Sequence, residues 1–109
     1  SDLAMTINGP WSWNNLKQSR IRFGAAAFPK VDGHAGGPMV GVVGAMISSA
    51  SPNRVLATEF IERYLLSSKG LRAMNDHVPL GVPANRALYE ELKSDPLVAG
   101  TYAAAEAGS

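Results

Sequence analysis

Leu3-Ala4-Met5-Thr6-Ile7-Asn8-Gly9-Pro10-Trp11-Ser12-Trp13 is the stretch from which the fold is read. Its first five residues are mostly apolar, and Thr6 and Ile7 branch at Cβ, which suits a short buried strand. Asn8-Gly9 ends that strand, because both residues tolerate the positive φ of a sharp turn. Pro10 fits the first position of a following helix, where its missing N–H removes no bond. Trp11 is therefore expected at the carboxyl end of a strand and the amino end of a helix. In open α/β sheets, ligands bind at that edge. An indole there can stack on the apolar face of a sugar ring while its N–H donates a hydrogen bond. Trp11 and Trp13 can equally be core aromatics, and the residues alone leave both readings open.

Working outward, Ser12 to Ser19 predicts a short helix whose propensity is lowered by Asn14 and Asn15. Arg20, Ile21, Arg22 and Phe23 alternate with period two, the pattern of a half-buried strand that runs toward Phe28 and stops at Pro29. Val31 to Pro38 is a turn-rich loop whose glycines match neither a P-loop nor a dinucleotide fingerprint. Met39 to Ile47 is nearly continuously apolar and reads as a strand buried on both faces. Gly41 and Gly44 allow it a bend or a close backbone approach.

Ser51-Pro52 reads as the N-cap and first position of the strongest helix. Leu56, Ala57, Phe60, Ile61, Tyr64 and Leu65 give that helix a broad apolar face, and Glu59 and Arg63 are paired four apart. It ends near Leu66. Ser67 or Ser68 then caps a short helix through Leu71 and Met74, stopping around Asn75. Pro79 to Pro83 is a rigid connector. A helix from about Ala84 to Lys93 is expected to bury Leu88, Tyr89 and Leu92. Asp95-Pro96 caps a final helix bearing Val98 and Tyr102, which fades at Gly108. The fold class is therefore α/β, with about three strands and four or five helices, helix exceeding strand. There is no internal repeat.

A chain of 109 residues suits one domain and can bury roughly 65% of its unfolded surface. Its 46% apolar and 17% charged residues describe a folded globular protein. Ten basic and nine acidic residues are scattered for a net charge of +1, without a basic stripe for nucleic acid or a polybasic membrane anchor. No apolar run reaches the ~18 residues of a transmembrane helix. The absence of cysteine excludes disulfides and thiolate metal sites.

Little in the chain points to catalysis. His34 and His77 sit in expected loops, and neither has a second ligand at helical spacing, so both read as surface histidines. Glu90 and Glu91 are adjacent on a helix and cannot face one bond, as a glycosidase pair must. Glu59 and Glu62 read as a solvated face. No Gly-x-Ser-x-Gly elbow occurs, and no thiol is present. No metal or other cofactor is expected.

Ala4-Met5-Thr6-Ile7-Asn8-Gly9-Pro10-Trp11 closely resembles a stretch of bacterial periplasmic maltose/maltodextrin-binding proteins, the solute receptors of sugar ABC transporters. The resemblance continues through Pro38-Met39-Val40-Gly41-Val42 and Ala50-Ser51-Pro52-Asn53. It then takes in Glu59-Phe60, Tyr64-Leu65-Leu66, Gly70-Leu71 and Pro79-Leu80-Gly81. Each motif is weak, but the ordered set is specific. It implies part of a type II periplasmic-binding-protein fold, whose two lobes close on sugar about hinge segments and dock on a membrane permease. Residues 1–39 would belong to one lobe, 40–44 to a hinge crossing and 45–90 to the other lobe. Residues 91–95 would cross back, and 96–109 would rejoin the first lobe. The hinge residues would be Val40, Gly41, Val42, Val43 and Gly44; a plain central strand is the alternative.

Trp11 matches the family's stacking tryptophan. The resemblance further implies a periplasmic location, maltose or maltodextrin as ligand and an ABC transporter permease as partner. With only Ser1-Asp2 ahead of the first expected strand, the chain is read as a segment of a larger receptor that self-associates when isolated. Two alternatives stand beside this reading: a segment of a carbohydrate-active enzyme, and a folded fragment with no binding activity of its own.

Overall fold

Proline and short polar side chains set where helices begin in this chain. The computed structural model describes residues 3–108. Ser1-Asp2, on which the reading as a segment was based, and Ser109, the last residue of the 96–109 range, lie outside the described residues. A 3₁₀ turn, Pro10–Ser12, leads directly into α1, Trp13–Gln18. After a long irregular stretch come α2, Arg54–Glu59, and a π-helical turn, Phe60–Leu65. Then follow α3, Ser68–His77, α4, Arg86–Leu92, and α5, Pro96–Glu106.

Three helix starts use a side-chain cap. Ser67 accepts from the Gly70 N–H at 3.1 Å, Asn85 from Leu88 at 3.0 Å and Asp95 from Leu97 at 2.8 Å. Each occupies one orphan donor of the first turn. The Asp95-Pro96 expectation is met, and Ser67 rather than Ser68 caps α3. Ser51 does not cap α2. It accepts from Asn53 at 3.2 Å, so the helix opens two residues late, after Asn53. At the end of α1, Arg20 N–H reaches Lys17 and Ile21 N–H reaches Leu16, at 3.0 and 3.2 Å. This is a Schellman motif with Arg20 at φ 58, a left-handed position that favours glycine.

Five helices fall within the expected number, but the expected strands do not form. Among the described residues the only β pairing is an isolated antiparallel bridge, Val31 to His34. A strand needs a neighbouring backbone to receive its N–H and C=O groups, and these three segments find none among the described residues. Leu3, Met5 and Ile7 are exposed, and Met39, Val42, Val43 and Met46 are 89–100% exposed, so the run expected to be buried on both faces is buried on neither. The middle segment keeps a trace of its period. Phe23, Ala25 and Ala27 are half-buried while Arg22, Gly24, Ala26 and Phe28 are exposed. Its inward face lies on α5, where a Cβ on Gly100 would stand 2.2 Å from the Ala25 oxygen.

The core is small. Trp13 packs with Leu97 and Val98, and Phe23, Ala25, Tyr89 and Leu92 close around them. The Tyr89 and Tyr102 rings meet at 4.9 Å, tilted by 35°. Leu71 on α3 and Leu88 on α4 are also buried, and Leu88 is fully so. Arg72 on α3 and Glu91 on α4 form an ion pair across these two helices. By contrast, Leu56, Phe60 and Tyr64 remain exposed, so only Ala57, Ile61 and Leu65 of the expected apolar face are even half-buried. The radius of gyration is 16.7 Å, against about 13 Å for a tightly packed chain of this length. The excess belongs to the uncovered segments.

Candidate functional site

Pro10 begins the turn that carries Trp11. Its ring supplies a helical φ without needing a donor, and the Trp13 N–H bonds back to the Pro10 oxygen. The Gly9 oxygen accepts from the Ser12 N–H at 3.0 Å and from the Ser12 hydroxyl at 2.7 Å. Trp11 and Trp13 therefore point to different places. Trp13 is 8% exposed and sits in the core, whereas Trp11 is 70% exposed. The core reading thus holds for Trp13 and fails for Trp11.

Distant parts of the chain clamp this turn. A Cβ on Gly81 would stand 2.6 Å from Pro10 Cγ and 3.7 Å from Thr101 Cγ2, so the 79–83 connector lies against the Pro10 ring and close to α5. Gly81 has φ +79, which independently favours glycine. Asn75 Oδ1 accepts from the Leu80 N–H at 2.9 Å and fixes the connector to α3. Asn14 Nδ2 donates to the His77 oxygen at 3.0 Å and ties α1 to the end of the same helix. Gly81 and Asn14 were not singled out from sequence. The signal for Gly81 was a glycine inside a proline-bounded connector, a position that selects for backbone shape.

Val40 touches the end of α5, where a Cβ on Gly108 would stand 2.6 Å from Val40 Cγ2 and 2.4 Å from the Pro38 oxygen. Beyond that contact the chain departs into solvent, with Val42 and Val43 exposed and open space around Gly41 and Gly44. The 91–95 segment is the end of α4 and a tight turn, in which the Asp95 N–H donates to the Leu92 oxygen at 2.9 Å. His34 ends a two-residue hairpin turn with Asp32 at φ 50 and Gly33 at φ 76, the type I′ pattern of Asp-Gly. Among the described residues no group of three His, Cys, Asp or Glu side chains is placed to hold a metal. No helix there is long and apolar enough to cross a membrane.

A shallow groove runs along α2 and the π turn, lined by Asn53, Leu56, Ala57, Glu59, Phe60 and Tyr64. Phe60 and Tyr64 stack there at 6.4 Å. None of the lining residues belongs to the Trp11 turn. Trp11 is therefore presented to solvent on a turn held by Pro10 and Ser12, apart from that groove.

The sequence profile of the bacterial extracellular solute-binding proteins matches residues 1–100 of the 109. That family consists of substrate receptors for ABC transporters, a class defined by binding rather than by turnover. An outward indole on a braced turn is in keeping with such a role, and the length of the match decides membership: the chain belongs to the bacterial extracellular solute-binding protein family.

Proposed function

We propose that the chain is part of a receptor that binds maltose or maltodextrin in the periplasm and delivers it to an ABC transporter permease, without catalysing a reaction. The observation that carries this reading is Trp11, 70% exposed on a turn held by Pro10, Gly81 and Ser12. A rigid, uncovered indole offers stacking area at little entropic cost. The ordered resemblance from Ala4 to Gly81 supplies the sugar class. Residues 40–44, Val40, Gly41, Val42, Val43 and Gly44, and residues 91–95 are proposed as lobe crossings. Two features support the first of these: Val40 is anchored at Gly108, and the glycines after it have open space on their side-chain side. The core cluster joins Trp13, Phe23 and Ala25 to Leu97 and Val98, in keeping with residues 1–39 and 96–109 sharing a lobe. Tyr89 and Leu92 also enter it, so the assignment is strongest for those two ranges.

Sugar recognition between two lobes needs polar groups on both walls. Stacking on Trp11 alone contributes about 1 kcal/mol beyond area burial, less than the cost of immobilising a ligand. The isolated chain is therefore expected to bind maltose weakly. Its exposed runs at Leu3–Ile7 and Met39–Met46 favour self-association. In the intact receptor, Trp11→Ala should weaken maltose binding by about 1–3 kcal/mol in titration calorimetry. An unchanged dissociation constant would refute the sugar-stacking role. Sedimentation of the isolated chain tests the rest: a folded monomer that binds maltose at micromolar concentration would refute both weak binding and self-association.

A further inference from the structure

Gly9 lies directly under the indole of Trp11. A Cβ built on Gly9 would stand 2.2, 2.3 and 2.6 Å from Cζ3, Cη2 and Cε3 of that ring. Distances so alike to three consecutive ring atoms place that position over the ring face and not at a single edge atom. Gly9 has φ −114 and ψ 174, a region open to every L-residue. A side chain there would be opposed by the indole, which would have to move, and not by backbone conformation. The backbone beneath the ring is also held on both sides. The Gly9 N–H donates to Asn8 Oδ1 at 2.9 Å, and its oxygen accepts twice from Ser12. Pro10, the next residue, is lodged against Gly81.

From this geometry we infer that Gly9 is a positioning residue for the Trp11 stacking face: it seats the indole on fixed backbone, closes one ring face and leaves the other for a single flat apolar ring such as a pyranose. The identity of the ligand rests on the sugar-receptor reading above; the seat itself does not. Any side chain at position 9 lifts the ring off its support. The indole then samples several rotamers, and a ligand must order it on binding. A seated ring is ordered beforehand, which lowers the entropic cost of association.

Nuclear magnetic resonance of the chain tests the seat without ligand. The Gly9 Hα protons should lie upfield of their random-coil position through the ring current of Trp11, and Trp11→Ala should return them to it. Random-coil Gly9 Hα shifts in the unsubstituted chain would overturn the seat. Gly9→Ala should leave the Trp13 indole resonance and the thermal midpoint near their original values, since the backbone there accepts alanine.

Titration with maltotriose, followed at the side-chain resonances, separates the two claims. The positioning role predicts that Gly9→Ala and Trp11→Ala each weaken binding about fivefold or more, the scale of one aromatic contact. Loss with Trp11→Ala and none with Gly9→Ala would overturn the positioning role alone. No loss with either variant would overturn the sugar-stacking reading and, with it, the positioning role of Gly9, while the upfield Hα shift would still establish the seat.

Discussion

The two tryptophans stand two residues apart and should respond very unequally to removal. A fully buried aromatic side chain covers at most about 250 Å², so Trp13, 8% exposed, withdraws about 230 Å² from water. At about 25 cal/mol per Å² that is near 6 kcal/mol, an upper bound because the unfolded chain is itself partly collapsed. Alanine keeps part of the burial, and a cavity is left between Leu97 and Val98. The expected cost of Trp13→Ala is about 3–5 kcal/mol. Trp11, 70% exposed, covers only about 75 Å², an upper bound near 2 kcal/mol, and with the part alanine keeps the expected cost of Trp11→Ala is about 1 kcal/mol. Urea unfolding followed by far-ultraviolet circular dichroism measures both. Because the core is small, Trp13→Ala is expected to leave the chain largely unfolded, and Trp13→Phe, costing about 1–2 kcal/mol, gives the readable transition. A Trp11→Ala variant destabilised by about 3 kcal/mol or more, the scale expected of Trp13→Ala, would refute the division of the pair into a core residue and a presented one.

Arg20→Gly should stabilise the chain by about 0.5–1 kcal/mol, since it removes a left-handed strain from the cap of α1; an unchanged or lower urea midpoint would count against that cap. Gly81→Ala should destabilise by about 2 kcal/mol, through its φ of +79 and through its contact with Pro10, and should broaden the Trp11 indole resonance. Hydrogen bonding to the Glu106 carboxylate, then its charge, holds the Tyr102 phenol above its usual range. The folded state therefore keeps that proton longer than the unfolded one. The resulting stabilisation is complete below about pH 10 and is lost as pH rises through the folded value. Absorbance at 295 nm should show a late-titrating tyrosine in the original chain, and Glu106→Gln should bring that titration back toward the ordinary value.

What could be read from the sequence was what short-range chemistry controls. Asp95-Pro96 and Ser67 mark helix starts because each start is decided by one side chain and a few backbone donors. Leu88, Tyr89 and Leu92 were placed inward by helical spacing, and they lie in or beside the buried groups. The strands were misjudged because an apolar run records a preference for burial, and a ladder also requires a partner backbone that residues 3–108 do not supply. Ser51 lost the start of α2 to Asn53 for a local reason, since its hydroxyl was used in a turn one step earlier. The turn before Trp11 left its core and ligand-facing readings both open, and only the fold shows it exposed. That Gly81 lodges against Pro10 and that Asn14 reaches His77 was not legible, because local pattern does not name a partner tens of residues away.

The clamp on Pro10 also fixes an order of events during synthesis. Trp11 is translated ahead of its support, because Gly81, which lodges against Pro10, follows it by some 70 residues. At about 5–20 residues per second, the indole waits roughly 4–14 s before that support exists. Throughout that interval Leu3, Met5 and Ile7 travel with it uncovered. The Trp11 turn is thus secured well after it is made, and a holding chaperone has that interval in which to act on it.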